Sequence, residues 1–120
     1  EDKLSAVGHA IAAHSFSAGI APATAEARVL QDADRLEALG AIGLARMFHV
    51  AGSMGGGLFD AADPMALHRA LDDRAFALDH IETKLLKIVD TMQTAPGRAM
   101  AEERADWMLS FRTRLLSEIN

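Results

Sequence analysis

Gln31-Asp32-Ala33-Asp34-Arg35-Leu36-Glu37-Ala38-Leu39-Gly40 sets carboxylates into the middle of a small, apolar helical run. A carboxylate taken out of water without a partner is costly, so one that faces a core is paired, neutralised or bound to a cation. In a helix, Asp32 and Asp34 stand about 200° apart and cannot face the same way. The side of Asp34 carries Ala27, Leu30, Ala38, Ala41 and Ile42, so Asp34 is expected to point inward. Asp32 lies nearer the polar side, within reach of Arg28 and Arg35, and reads as half of a solvated ion pair. For an inward Asp34 the spacing leaves two roles open: a buried carboxylate held by Arg or backbone donors, or a metal ligand.

Working outward, the periodicity predicts helices throughout. Leu4, Val7, Ile11 and His14 recur at helical spacing, giving a first helix through about residue 14. Thr24 is placed to cap a second helical region running from about Ala25 towards Val50, with Glu26 in its first turn. Gly40 and Gly43 fall inside that region; they either break it or allow close packing. Residues 52–64 form a Gly-rich loop, read as a mobile connector or lid, and 65–71 allow a helical turn or two. A third helix, capped by Asp72 or Asp73, carries the stripe Leu78, Ile81, Leu85, Ile88 and Met92. After the turn Thr94-Ala95-Pro96-Gly97, a last helix has Met100, Arg104, Trp107, Phe111 and Leu115 along or beside its inner face. No segment sustains period-2 alternation, and no internal repeat is visible. The expected class is all-α, a bundle-like single domain with no β-sheet.

Composition agrees. The 120 residues are 50% hydrophobic and 24% charged, ordinary for a globular chain, with 24 alanines and only 5% aromatics. Ala is the best helix former and has little β preference. A net charge of −5 and no basic stripe exclude the electrostatic footprint of nucleic-acid backbone binding. An anionic substrate would need a local cation or metal. No apolar run reaches the roughly 20 residues that span a bilayer. The absence of Cys excludes disulfides and thiolate zinc sites, and a cytoplasmic location is expected.

Three further groups could carry chemistry. His14 continues an apolar stripe and points inward, either as a hydrogen-bonded core residue or as a ligand; His9 is about 140° away and cannot pair with it in a simple clamp. His80, Lys84 and Lys87 form an i, i+4, i+7 row able to hold phosphate oxygens, or simply a solvated face balanced by Asp79 and Glu82. The Gly-rich loop lacks the preceding strand and the Gly-Lys-Ser/Thr ending of a nucleotide-binding phosphate loop.

The run from His9 to Ser17, then Gln31 to Gly43, then Leu71-Asp72-Asp73-Arg74, His80, Lys84-Leu85-Leu86, Met92-Gln93-Thr94 and Ala101-Glu102-Glu103-Arg104 resembles a bacterial branch of the HD-domain metal-dependent phosphohydrolases, in order and over nearly the whole chain. The resemblance implies a helical enzyme that binds a divalent metal through a His, an adjacent His-Asp pair and a later Asp. Asp34, in Ala-Asp-Arg-Leu, matches the later Asp and is implied as metal ligand. His14 is implied near the metal or the substrate phosphate, and Lys84 and His80 in substrate contact. No His-Asp dipeptide occurs here, so these residues are expected to be the C-terminal portion of an HD-type domain whose first ligands lie upstream of Glu1.

The resemblance further implies hydrolysis of a phosphorylated small molecule, with nucleoside triphosphate pyrophosphohydrolysis the first specific expectation. Mn²⁺ is the expected metal, with Fe²⁺, Ni²⁺, Zn²⁺ or Mg²⁺ as alternatives. The 120 residues alone are expected to be inactive, and homo-oligomers are compatible with the pattern. The competing reading is a helical binding or oligomerisation module that keeps the sequence pattern without the chemistry.

Overall fold

The computed structural model describes residues 24–119. Thr24 caps α1, Ala25–Leu36, by accepting the Ala27 N–H on its hydroxyl at 3.0 Å. The chain turns at residues 37–39 and re-enters α2, Gly40–Ser53. Gly40 has φ +77°, a left-handed conformation that disfavours any side chain, and its α-carbon faces the Arg104 side chain. Both expected consequences of the glycines are therefore present: the helical region breaks, and Gly43 packs directly on the Ala38 carbonyl.

Residues 54–78 contain no helix, so the turn or two expected over 65–71 does not form. The Gly-rich loop is not a loose connector either. Gly57 N–H donates to the Ala75 carbonyl at 2.8 Å, Ala77 N–H to Gly57 at 2.9 Å, and Leu78 N–H to Leu58 at 3.0 Å. A β-carbon at residue 56 would stand 2.7 Å from the Arg74 carbonyl, so glycine there permits the approach. This is an isolated bridge between Gly57 and Phe76; the described residues form no sheet.

Asp79 and His80 lead into a π-helical turn, Ile81–Leu85, that continues as α3, Leu86–Val89. Neither expected acid caps this helix. Asp72 accepts the Arg74 and Ala75 N–H groups in the preceding turn, and Asp73 is engaged by His80. The expected stripe is borne out in full, with Leu78, Ile81, Leu85, Ile88 and Met92 all 5% exposed or less.

The last helix, α4, Ala95–Glu118, packs against α1, α2 and α3. Its inner face differs from the expected one. Ala101, Ala105 and Met108 are buried, whereas Met100 and Trp107 are nearly half exposed. Alanines allow α4 to lie close to its neighbours, so two small residues and Met108 mark the contact in place of Met100 and Trp107. Phe111 and Leu115 are partly buried against the same core.

One ionic cluster organises the long connection. Arg69 donates two hydrogen bonds to Asp79, at 2.6 and 3.1 Å, and one to Asp60 at 2.9 Å, while its guanidinium lies 4.6 Å from the Phe76 ring centre. The hydrogen bond to Asp79, more than any other contact, raises the Arg69 pKa above its ordinary value. Asp79 is 2% exposed and also accepts the Asp72 N–H at 2.8 Å. Removing one member of such a pair strands the other charge. Arg69→Ala is accordingly expected to lower the melting temperature by roughly 10 °C, read by thermal circular dichroism; an unchanged melting temperature would show that the cluster is ornamental.

Candidate functional site

The two carboxylates of α1 take the opposite orientation to the expected one. Asp32 is 3% exposed, while Asp34 faces outward. Projecting α1's apolar side through Ala38, Ala41 and Ile42 assumes one continuous helix, but α1 stops at Leu36 and the turn resets the helical phase. Leu30, on Asp34's side, is 39% exposed, and the buried face consists of Ala27, Gln31, Asp32 and Leu36.

Asp32 is not a solvated ion pair but a clamp between helices. Its oxygens accept the Gln93 N–H at 2.8 Å, the Thr94 N–H at 2.9 Å and the Thr94 hydroxyl at 2.6 Å. Thr94 in turn caps α4 by accepting the Gly97 N–H at 3.0 Å. The carboxylate thus sits at the positive end of α4, where backbone dipoles favour an anion. Gly97 lies directly against it, so any β-carbon at that position would collide with the Asp32 carboxylate. With three donors satisfied at once, Asp32 has the environment of a structural acid.

Beside Asp32, burial lowers the Arg35 pKa, and attraction to Asp32 and Asp34 opposes that shift. Arg35 also donates to the Thr91 carbonyl at 3.1 Å, joining α1 to the end of α3. Asp34 itself is exposed on α1, two residues before the helix ends at Leu36. Among the described residues no three His, Asp or Glu side chains gather closely enough to hold a metal ion. His14 and His9 lie outside the described residues.

Ala38 lines a cavity of about 310 Å³ between α2 and the segment leading into the π-helical turn. Met47, Val50, Ala77 and Leu85 form its apolar wall; Arg46, Arg74, Asp73 and His80 supply its polar groups. His80 Nδ1 lies 2.8 Å from Asp73, which also accepts the Thr83 hydroxyl at 2.8 Å. The His80 ring, then the Thr83 hydroxyl, hold the Asp73 carboxyl below its ordinary pKa. Because the folded-state value is the lower one, this interaction stabilises the fold above the ordinary carboxylate range and is lost as pH falls through the lowered pKa.

Of the expected phosphate row, only His80 reaches the cavity. Lys84 is exposed on the π-helical turn and does not line it. Glu82 is drawn to Arg112 at 2.7 Å and Asp79 to Arg69, so neither balances the row as expected. Arg46 and Arg74 carry no signal in their spacing, because they stand 28 residues apart (74 minus 46) and meet only through the fold. The π-helical turn beside His80 is a signal that backbone geometry alone supplies; such turns recur at functional sites. No described helix is long and apolar enough to cross a membrane.

No family model matches the chain. The uncharacterized protein YpgQ of Bacillus subtilis is 40% identical over 98 residues, which are 82% of this chain and 42% of that relative. The crystal structure of YpgQ in complex with ADP superposes with a TM-score of 0.67 at 41% identity, over 82% of this chain and 46% of the other. An HD-superfamily hydrolase from Bacillus thuringiensis gives a TM-score of 0.66 at 38% identity, over 78% of this chain and 45% of the other. The chain thus spans less than half the length of these relatives.

Proposed function

This chain is a relative of the HD-superfamily hydrolases, and from that kinship we propose that it contributes to a divalent-metal-dependent phosphohydrolase acting on a phosphorylated small molecule. Asp34 is its metal ligand in this reading, and the observation that carries the assignment is the division of labour on α1. Asp32 is committed to the α4 cap, while the Asp34 carboxylate accepts no hydrogen bond from a described residue and is open to a cation.

The described residues do not build a metal shell by themselves, since Asp34 belongs to no group of three His, Asp or Glu side chains among them. Its partners in coordination therefore belong outside them, and His14 is the candidate within this chain. Mn²⁺ suits a mixed carboxylate and imidazole site, with Fe²⁺, Ni²⁺, Zn²⁺ and Mg²⁺ as competitors. His80 is assigned to the substrate through its place in the cavity; Lys84, exposed and outside that cavity, is assigned to an outer phosphate oxygen. The ADP held by YpgQ supports a nucleotide as the phosphorylated molecule, and nucleoside triphosphate pyrophosphohydrolysis is the specific reaction proposed.

The test is a hydrolysis screen with the longest natural polypeptide that contains this chain. Nucleoside triphosphates with and without Mn²⁺ should give metal-dependent release of pyrophosphate. A polypeptide that takes up no Mn²⁺ and turns over no phosphorylated compound would instead be a helical binding module.

A further inference from the structure

We infer that Thr94 and Arg104 are positioning residues for Asp34: acting from the α4 side, they fix the roll of α1 and so the direction in which its exposed carboxylate is presented. Asp34 enters here as the metal ligand of the proposed hydrolase, on which this inference rests.

Asp34 stands in the last turn of α1, two residues before the helix ends at Leu36. Helix ends fray, yet this one is gripped by a single stretch of chain, residues 91–104. Asp32 accepts the Gln93 N–H, the Thr94 N–H and the Thr94 hydroxyl at 2.8, 2.9 and 2.6 Å. Arg35 donates to the Thr91 carbonyl at 3.1 Å. Arg104 Nη1 donates to the Leu36 carbonyl at 2.7 Å, which places a cation at the C-terminal end of α1, where the backbone dipole favours one. The stem of Arg104 is itself braced against Gly40, where a β-carbon would stand 3.2 Å from Arg104 Cγ.

These grips flank Asp34 in sequence and lie behind it in space. Asp32 and Leu36 are four residues apart and share the buried side of α1, whereas Asp34, two residues from each, is exposed on the other side. Holding the back of the helix therefore aims its front. The magnitude is large enough to matter. A functional group must keep its place to within about 0.5 Å. A helix with its side chains has a radius of about 5 Å, so a roll of about 10° moves a side-chain tip by roughly 1 Å. The hydrogen bonds within α1 turn with the helix and do not resist such a roll. Contacts to neighbouring elements do.

The experiment is calorimetric titration of Mn²⁺ into the longest natural polypeptide, well below its melting temperature. Thr94→Val keeps the shape of the side chain but removes the hydroxyl; Arg104→Met keeps the stem but removes the donor. Each should weaken Mn²⁺ binding at least about tenfold, the lower end of what groups supporting a metal ligand contribute. Thr94→Ser, which keeps the hydroxyl, should bind as the wild type does. Arg69→Ala separates positioning from stability. It is expected to melt earlier, but a variant that stays folded keeps nearly all its molecules competent to bind, so its Mn²⁺ affinity should not change.

Equal Mn²⁺ affinity in the wild type, Thr94→Val and Arg104→Met would overturn this inference alone. A tenfold loss in Arg69→Ala or Thr94→Ser would do the same, because affinity would then follow stability or bulk and not these donors. A wild type that takes up no Mn²⁺ removes the metal role of Asp34 and this inference with it. A metal-free measurement stands beside the titration. In EDTA, the amide hydrogens of residues 34–36 should exchange at least about tenfold faster in Thr94→Val and Arg104→Met, relative to the buried Leu44 of α2. Unchanged relative exchange would show that neither residue holds the end of α1.

Discussion

Asp32→Ala is expected to lower the unfolding free energy by about 2–4 kcal/mol. The substitution strands the N–H groups of Gln93 and Thr94, which now donate to the carboxylate at 2.8 and 2.9 Å, and releases the Thr94 hydroxyl held at 2.6 Å. A fully buried donor left without an acceptor costs about 1–3 kcal/mol, and these three donors are part-buried, so their summed cost falls short of three such penalties. The damage extends to α4, because Thr94 caps that helix through Gly97. Asp32→Asn should cost less but not nothing: one oxygen can still serve Gln93, while the amide would turn N–H donors towards the Thr94 donors. Urea denaturation at neutral pH measures both. Stability within about 0.5 kcal/mol of wild type, the range of ordinary surface substitutions, would show that Asp32 does not join α1 to α4.

Asp34→Ala should do the reverse. Its side chain is exposed and makes no hydrogen bond to a described residue, so its loss should leave the unfolding free energy within about 0.5 kcal/mol of wild type. Metal-dependent hydrolysis by the natural polypeptide should fall at least about 100-fold, the scale set by removing a group that acts on the reacting centre. Two acids two residues apart therefore make opposite predictions, one about folding and one about chemistry. Near-normal turnover by Asp34→Ala would remove this residue from the site.

Much of the fold is legible in the residues. The Thr24 cap, the break near Gly40 and the Leu78-to-Met92 stripe all obey local rules, and each is present. The features that escape such rules depend on long-range packing. The orientation of α1 depends on where the helix ends: with Leu36 its last residue, Ala38, Ala41 and Ile42 cannot extend its face. The inner face of α4 defies hydropathy, which favours Met100 and Trp107 over the alanines that let helices approach closely. The Arg69–Asp79 pair and the meeting of Arg46 with Arg74 have no local signature, since each joins residues from separate segments.

The candidate site is legible only in part. Ala-Asp-Arg-Leu draws attention to Asp34 through the character of its neighbours, yet the buried acid is Asp32. Thr94, a turn residue by its sequence context, is the helix cap that Asp32 holds. His80 stands out through its row with Lys84, but the cavity selects His80 and leaves Lys84 outside.

Titrating Mn²⁺ into the natural polypeptide and its Asp34→Ala variant, with heat as the readout, addresses the metal role of Asp34 without any assumption about substrate. The expected result is one saturable site in the wild type and no measurable saturation in the variant, with both proteins melting at the same temperature. Equal Mn²⁺ binding by the two would contradict it.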